Sequence, residues 1–169
     1  MSEQLEGQES GGQQGIGTHV VTQIALVVKD INKTIDAYCR VLGLPRPGVM
    51  VTDAEAGNDM YRGERTHAQA KLAFFNLGQV TLELIEPLPG GGGSVWQEVL
   101  DAKGEGVHHI AFNIQGTDTV TDYLAEHDIP VIQQGDYTGG MYTYVDSEPV
   151  LGVMLELLEN FPKNEEAGE

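Results

Sequence analysis

Gln23-Ile-Ala-Leu-Val-Val28 and His109-Ile-Ala-Phe-Asn-Ile114 are one segment written twice. Each opens on a polar residue, keeps Ile-Ala behind it and continues as an apolar run. A second pair closes the same units: Leu82-Glu-Leu-Ile-Glu86 stands against Leu155-Glu-Leu-Leu-Glu159. Matching openings and closings within 169 residues mean two copies of one small supersecondary unit.

The residues between these segments supply the other elements. Residues 20–28 read as a strand. Asp30-Ile-Asn-Lys-Thr-Ile-Asp-Ala-Tyr-Cys-Arg-Val-Leu-Gly43 changes to helical spacing, with Ile31, Ile35, Tyr38 and Leu42 on one face, Asp30 as N-cap and Gly43 as C-cap. Residues 49–52 allow a short strand, and the polar stretch 53–66 reads as a long loop. Strands are expected at 70–77 and 79–86, turned at Asn76-Leu-Gly78. The Pro/Gly run 87–93 links to a short helix from Ser94 to Lys103, stopped by Gly104. The order then restarts with a strand at 107–114, a helix at 119–127 and a strand at 131–134. Strands at 141–145 and 150–158 follow, about a Ser147-Glu-Pro149 turn. The expectation is an α+β fold of two βαβββ modules in one chain, forming a curved mixed sheet around a cleft. Its divisions are a disordered tail at 1–17, a first module at 18–90, a linker and short helix at 91–104, a second module at 105–160, and a disordered tail at 161–169.

Strand side chains alternate between the two faces of a sheet. Ile24, Leu26 and Val28 share the helix-packing face, as do Ile110, Phe112 and Ile114. Gln23 and Ala25, and likewise His109 and Ala111, take the other face. His108 falls by parity with Ile110 and reads as a structural histidine. In the closing strands Leu82, Leu84, Leu155 and Leu157 pack towards the helices. Glu83 and Glu156 then face away from the helices, in the middle of apolar segments. A carboxylate in such a place is costly unless it is paired or binds a metal. With the two modules curled together, Gln23, Glu83, His109 and Glu156 line one cleft.

The chain carries 26 acidic and 9 basic residues, a net charge of −17. Nucleic acid and anionic membrane surfaces are poor partners for it, because phosphate binding needs clustered Lys and Arg. No apolar run approaches the roughly 20 residues of a membrane-spanning helix. Residues 1–17 lack the basic start and apolar core of a secretion signal. The single Cys39 forms no internal disulfide and sits in the helical pattern as a packing residue. A reducing cytoplasm is the expected compartment.

The quoted segments also carry a resemblance. Over residues 18–160 the chain is similar to the vicinal-oxygen-chelate superfamily, which includes glyoxalase I, methylmalonyl-CoA epimerase and extradiol dioxygenases. The likeness rests on Thr22-Gln-Ile-Ala-Leu-Val-Val-Lys-Asp30, Val80-Thr-Leu-Glu-Leu-Ile-Glu-Pro87, Gly104-Glu-Gly-Val-His-His-Ile-Ala-Phe112 and Gly152-Val-Met-Leu-Glu-Leu-Leu158. It implies one divalent metal ion (Zn, Ni, Co, Mn or Mg) held by Gln23, Glu83, His109 and Glu156. It also implies proton transfer α to the carbonyl of a small-molecule substrate, as in methylmalonyl-CoA epimerase. Glu156 is then the favoured base and Glu83 the opposite one. The alternatives are a glyoxalase I-like lactoylglutathione lyase and a non-catalytic binding protein of the resistance type. Val27, Pro87 and Glu105 stand where glyoxalase I enzymes hold glutathione, which turns the expectation towards the epimerase. A single His in the set argues against an iron oxygenase, which presents two His and one carboxylate. Candidate substrate contacts are Arg62 and Arg65 in the long loop, Lys71 or Gln69 on the next strand, and Tyr142 or Tyr144. The resemblance further implies a homodimer.

Overall fold

The computed structural model describes residues 15–55 and 57–162. The tails expected at 1–17 and 161–169 lie outside the described residues except for 15–17 and 161–162. β1 (Val21–Val27) runs into α1 (Ile31–Leu42). The Asp30 carboxylate accepts the Lys33 amide at the start of this helix, and the chain leaves it through Gly43 in the left-handed region. β2 (Met50–Val51), β3 (Met60–Tyr61), β4 (Glu64–Arg65), β5 (Ala70–Asn76) and β6 (Thr81–Pro87) complete the first module. α2 (Val95–Lys103), capped by Ser94, leads into the second. That module is β7 (Gly106–Asn113), α3 (Thr117–Ala125), β8 (Val131–Tyr137), β9 (Gly140–Val145), α4 (Glu148–Leu151) and β10 (Met154–Asn160).

The strands form one sheet in the order β2-β5-β6-β1-β7-β10-β9-β8-β3-β4, curled into a half-barrel. The opening strands β1 and β7 pair antiparallel at its centre. Each pairs parallel with the closing strand of its own module, β1 with β6 and β7 with β10. On one face Ile31 and Ile35 of α1 pack on Ala73, Phe75, Leu82 and Leu84, and Val120 and Leu124 of α3 pack on Ile114, Leu155 and Leu157. Each Val, Leu, Ile or Phe side chain of this kind, when fully buried, stabilises the fold by about 1.5–3 kcal/mol. On the other face Ala25, Val27 and Ile85 pack with Val95, Trp96 and Val99 of α2. The alternation read in the sequence is the alternation that sorts these clusters.

Three elements differ from the sequence expectation. The stretch 53–66 holds the β3–β4 hairpin, whose two-residue strands are too short to show a period. Its turn residues Arg62 and Gly63 both have positive φ (50° and 83°), as a tight two-residue hairpin of the mirror-image kind requires. β3 pairs with β8, so the chain crosses from one end of the sheet to the other and returns to β5 beside β2. The glycine run after β6 receives this strap: the His67 amide donates to the Gly91 carbonyl, and a Cβ on Gly91 would overlap the His67 backbone. Secondly, Val150 and Leu151 belong to the short helix α4, so the last strand begins at Met154. Thirdly, α3 begins at Thr117 because the Glu159 carboxylate accepts the Gly116 and Thr117 amides, a cap no local spacing reveals. Among the described residues no helix is long and apolar enough to cross a membrane.

Candidate metal centre

Register sets the candidate ligands in two rows on the central strands. In one row Glu83 of β6, Ala25 of β1 and His109 of β7 are neighbours. In the next, Gln23 of β1, Ala111 of β7 and Glu156 of β10 are neighbours. The rows are one pattern exchanged between modules: a closing-strand Glu, an opening-strand Ala, and the polar head of the partner module. With strands about 4.8 Å apart, the polar backbones of a row stand about 10 Å from each other across an alanine. The alanine methyl fills little of that gap, so the long side chains reach over it.

They meet. His109 Nε2 lies 2.9 Å from Glu156 Oε2 and 3.5 Å from Glu83 Oε2. Glu83 and Glu156 are each 5% exposed and His109 is fully buried. Despite these distances, none of the three atoms makes a hydrogen bond of acceptable geometry. The three ligand atoms lie within 4.8 Å of one another. An unsatisfied buried polar atom costs roughly 1–3 kcal/mol, more if charged, and a cation among them satisfies all three. Gln23 lines the same cleft. Carboxylates, an imidazole and an amide oxygen fit a hard-to-borderline divalent ion.

The electrostatics agree. Burial alone would lower His109, but Glu156 and then Glu83 outweigh it and push its pKa up to about 9. Burial raises the Glu83 carboxyl above the usual range against the opposing pull of His109, and the Glu156 charge adds to the rise. Two buried carboxylates demand positive charge, and without a metal the His109 proton supplies it.

β7 bulges beside this site. Ala25 pairs with His109 but Leu26 pairs with Val107, which leaves His108 as an extra residue. The bulge breaks the alternation, so His108 does not join Ile110 as parity predicts. It is buried against Val95, Tyr144 and His109 instead. Burial, then the charge on His109, lower its pKa to about 3, so it is neutral.

The site opens into a cleft of about 770 Å³. Met50, Val51, Leu72 and Phe74 give it an apolar wall, and Asp59, Asp136, Tyr137 and Tyr142 a polar one. Tyr144 stands over His109 with ring centroids 5.0 Å apart, and its hydroxyl accepts the Trp96 indole N–H. The Tyr142 hydroxyl donates to Asp59 Oδ1 and accepts from Gln133 Nε2. Of the expected substrate contacts, Tyr142 and Tyr144 line the cleft while Arg62, Arg65 and Lys71 do not. Arg62 turns to Glu98 of α2. Lys71 pairs with Glu86, because Leu72 and Phe74 take the cleft-facing positions of β5. Arg65 is exposed on β4, and the Gln69 amide is held by the Thr52 carbonyl. Asp59, Trp96 and Gln133 escaped the sequence reading. None of the three breaks a local pattern: Gln133 is followed by a second polar residue, Gln134.

Residues 22–145 match the family model described as Glyoxalase/Bleomycin resistance protein/Dioxygenase superfamily. Uncharacterized protein YqjC from Bacillus subtilis is 33% identical over 105 residues, which cover 60% of this chain and 71% of that protein. Methylmalonyl-CoA epimerase from Mycobacterium tuberculosis superposes with a TM-score of 0.63 at 18% identity, over 91% of this chain and 95% of that one. A hypothetical protein from Bacillus halodurans gives 0.58 at 21% identity, over 86% and 96%. A variant of Streptomyces coelicolor methylmalonyl-CoA epimerase in complex with 2-nitronate-propionyl-CoA gives 0.58 at 20% identity, over 83% and 96%. At these identities the solved structures establish the fold. The family match spans most of the chain, and the chain belongs to the glyoxalase/bleomycin resistance protein/dioxygenase superfamily.

Proposed function

We propose that this chain is a divalent-metal-dependent isomerase or epimerase that moves a proton α to the carbonyl of a small molecule. The observation that carries this reading is the group of three buried, unsatisfied donor atoms from both modules beside a substrate-sized cleft. Gln23 completes the ligand set. A divalent ion held by these residues would supply a Lewis acid for the substrate carbonyl oxygen and would acidify the neighbouring C–H. Glu156 takes the α-proton at its carboxylate, and Glu83, reaching in from the far side of His109, returns one. Trp96, Tyr144, Leu72 and Phe74 line the cleft that would hold the substrate.

The methylmalonyl-CoA epimerases among the structural neighbours support the reaction class. The cleft wall supports a substrate of different charge. Among the described residues it presents Asp53, Asp59 and Asp136 and no Lys or Arg. An uncharged vicinal or β-dicarbonyl, or an α-hydroxy ketone, meets less repulsion there than a carboxylated thioester. Proton NMR in deuterium oxide tests both points. Metal-loaded protein is expected to exchange the α-hydrogen of a neutral dicarbonyl or hydroxy ketone and to leave methylmalonyl-CoA unexchanged. Epimerisation of methylmalonyl-CoA would overturn the charge argument. Binding without exchange of any of them would favour a non-catalytic binding protein instead. A cytoplasmic homodimer is part of the same proposal on the superfamily resemblance, and light scattering on the purified chain checks the dimer.

A further inference from the structure

We infer that His108 is a positioning residue for the metal centre: its Nδ1 accepts the Nδ1–H of His109 and so turns the lone pair of His109 Nε2 towards the ion. The inference rests on the metal-dependent reading above.

The argument is one of hydrogen-bond valence. His108 Nδ1 lies 2.9 Å from His109 Nδ1, and His108 Nε2 lies 3.3 Å from the Val95 carbonyl oxygen. A carbonyl can only accept, so His108 carries a proton on Nε2. The two Nδ1 atoms are close enough to share one proton, and a His109 that ligates through Nε2 keeps its own proton on Nδ1. The Nδ1 of His108 is therefore the acceptor, and the proton between the two rings belongs to His109. That assignment leaves His109 Nε2 as the nitrogen that faces Glu83 and Glu156.

Both ends of the relay are anchored. Val95 is the first residue of α2, and its amide donates to Gln133 Oε1 at 2.8 Å. The Ser94 cap holds the same helix start through the Gln97 amide. The bulge in β7 is what makes the relay possible, since regular alternation would send His108 to the opposite face from His109. A ligating histidine whose second nitrogen is held in this way keeps its tautomer and ring orientation, and loss of such a partner typically costs 10–100-fold in metal affinity.

The test uses the full chain, labelled with nitrogen-15 at histidine and loaded with zinc. Wild type is expected to show a slowly exchanging Nδ1–H on His109 with a through-hydrogen-bond coupling to His108 Nδ1. His108→Asn presents an acceptor oxygen near the same point, and it should keep that proton and bind zinc within threefold of wild type. His108→Phe keeps a ring but no acceptor, and it should lose both the signal and about 10–100-fold in zinc affinity, read by chelator competition. Absence of the coupling in wild type overturns the inference even where a variant fails to fold. Equal weakening by His108→Asn and His108→Phe also overturns it, because packing alone then explains the residue. A chain that binds no divalent ion at all removes the metal centre and this inference together, whereas zinc binding without the coupling removes this inference alone.

Discussion

Glu156 combines two demands in one residue: its carboxylate faces the ligand cluster and is the proposed base. Glu156→Gln keeps the shape and removes the charge. It is expected to slow α-proton exchange about 10²–10⁴-fold and to weaken metal uptake. A variant that exchanges at the wild-type rate would remove Glu156 from the mechanism. His109 sets the pH behaviour. Its pKa in the metal-free chain is raised from 6.5 to about 9. The stability it contributes is complete below the lower value and is lost as pH rises through the upper one. Metal binding must displace the same proton, and the raised carboxyl of Glu83 works in the same direction. Apparent metal affinity should therefore climb with pH across that window, by about tenfold per unit where one proton is released. Calorimetry across the window checks this, and a flat profile would sink the claim that His109 is a ligand. These residues were legible in the sequence because a charged side chain amid Leu and Ile breaks a pattern. Arg62 and Lys71 misled because their partners Glu98 and Glu86 are chosen by a hairpin and a register that no local pattern encodes.

At the scale of the strand, the repeated Ile-Ala matters as much as the polar heads. Ala25 and Ala111 hold the middle of each ligand row, and both are fully buried. Ala111→Val places two methyl groups where Gln23 and Glu156 must reach across. It is expected to cost about 1–3 kcal/mol of stability and to weaken metal binding tenfold or more with the fold intact. Unchanged affinity in a folded Ala111→Val protein would show that the row is not the seat of the ion. The strap makes a separate prediction. Gly91 has φ 76° and lies against the His67 backbone, so Gly91→Ala should destabilise by about 1–3 kcal/mol in denaturant unfolding. An unchanged midpoint would mean that the strap does not need its glycine seat. Long elements were readable from sequence, since α1 carries its period and both caps, and β1 and β7 repeat. The β3–β4 hairpin and α4 were not, because two- and four-residue elements are too short for a period. The start of α3 was not, because Glu159 caps it from the far end of the chain.

At the scale of the whole molecule, the two modules are coupled at several places. β1 pairs with β7, β3 of the first module pairs with β8 of the second, and the ligand cluster joins them again, with Glu83 from the first module and His109 and Glu156 from the second. An ion held by residues of both modules stabilises only the state in which both are folded and docked. Free metal at a hundred times its dissociation constant should add about 2.7 kcal/mol to stability. For a domain of this size that corresponds to roughly 5–10 °C in melting temperature. The whole shift should appear in a single transition, and a chelator should reverse it. Glu83→Gln should abolish most of the shift although it leaves every second-module ligand in place. Two transitions, of which metal moves only one, would mean that the ion is held by one module and that the duplication does not build the site. A single transition that moves as a unit and loses its metal shift with Glu83→Gln would tie the repeat to the centre it encloses, because Glu83 belongs to the module that supplies neither His109 nor Glu156.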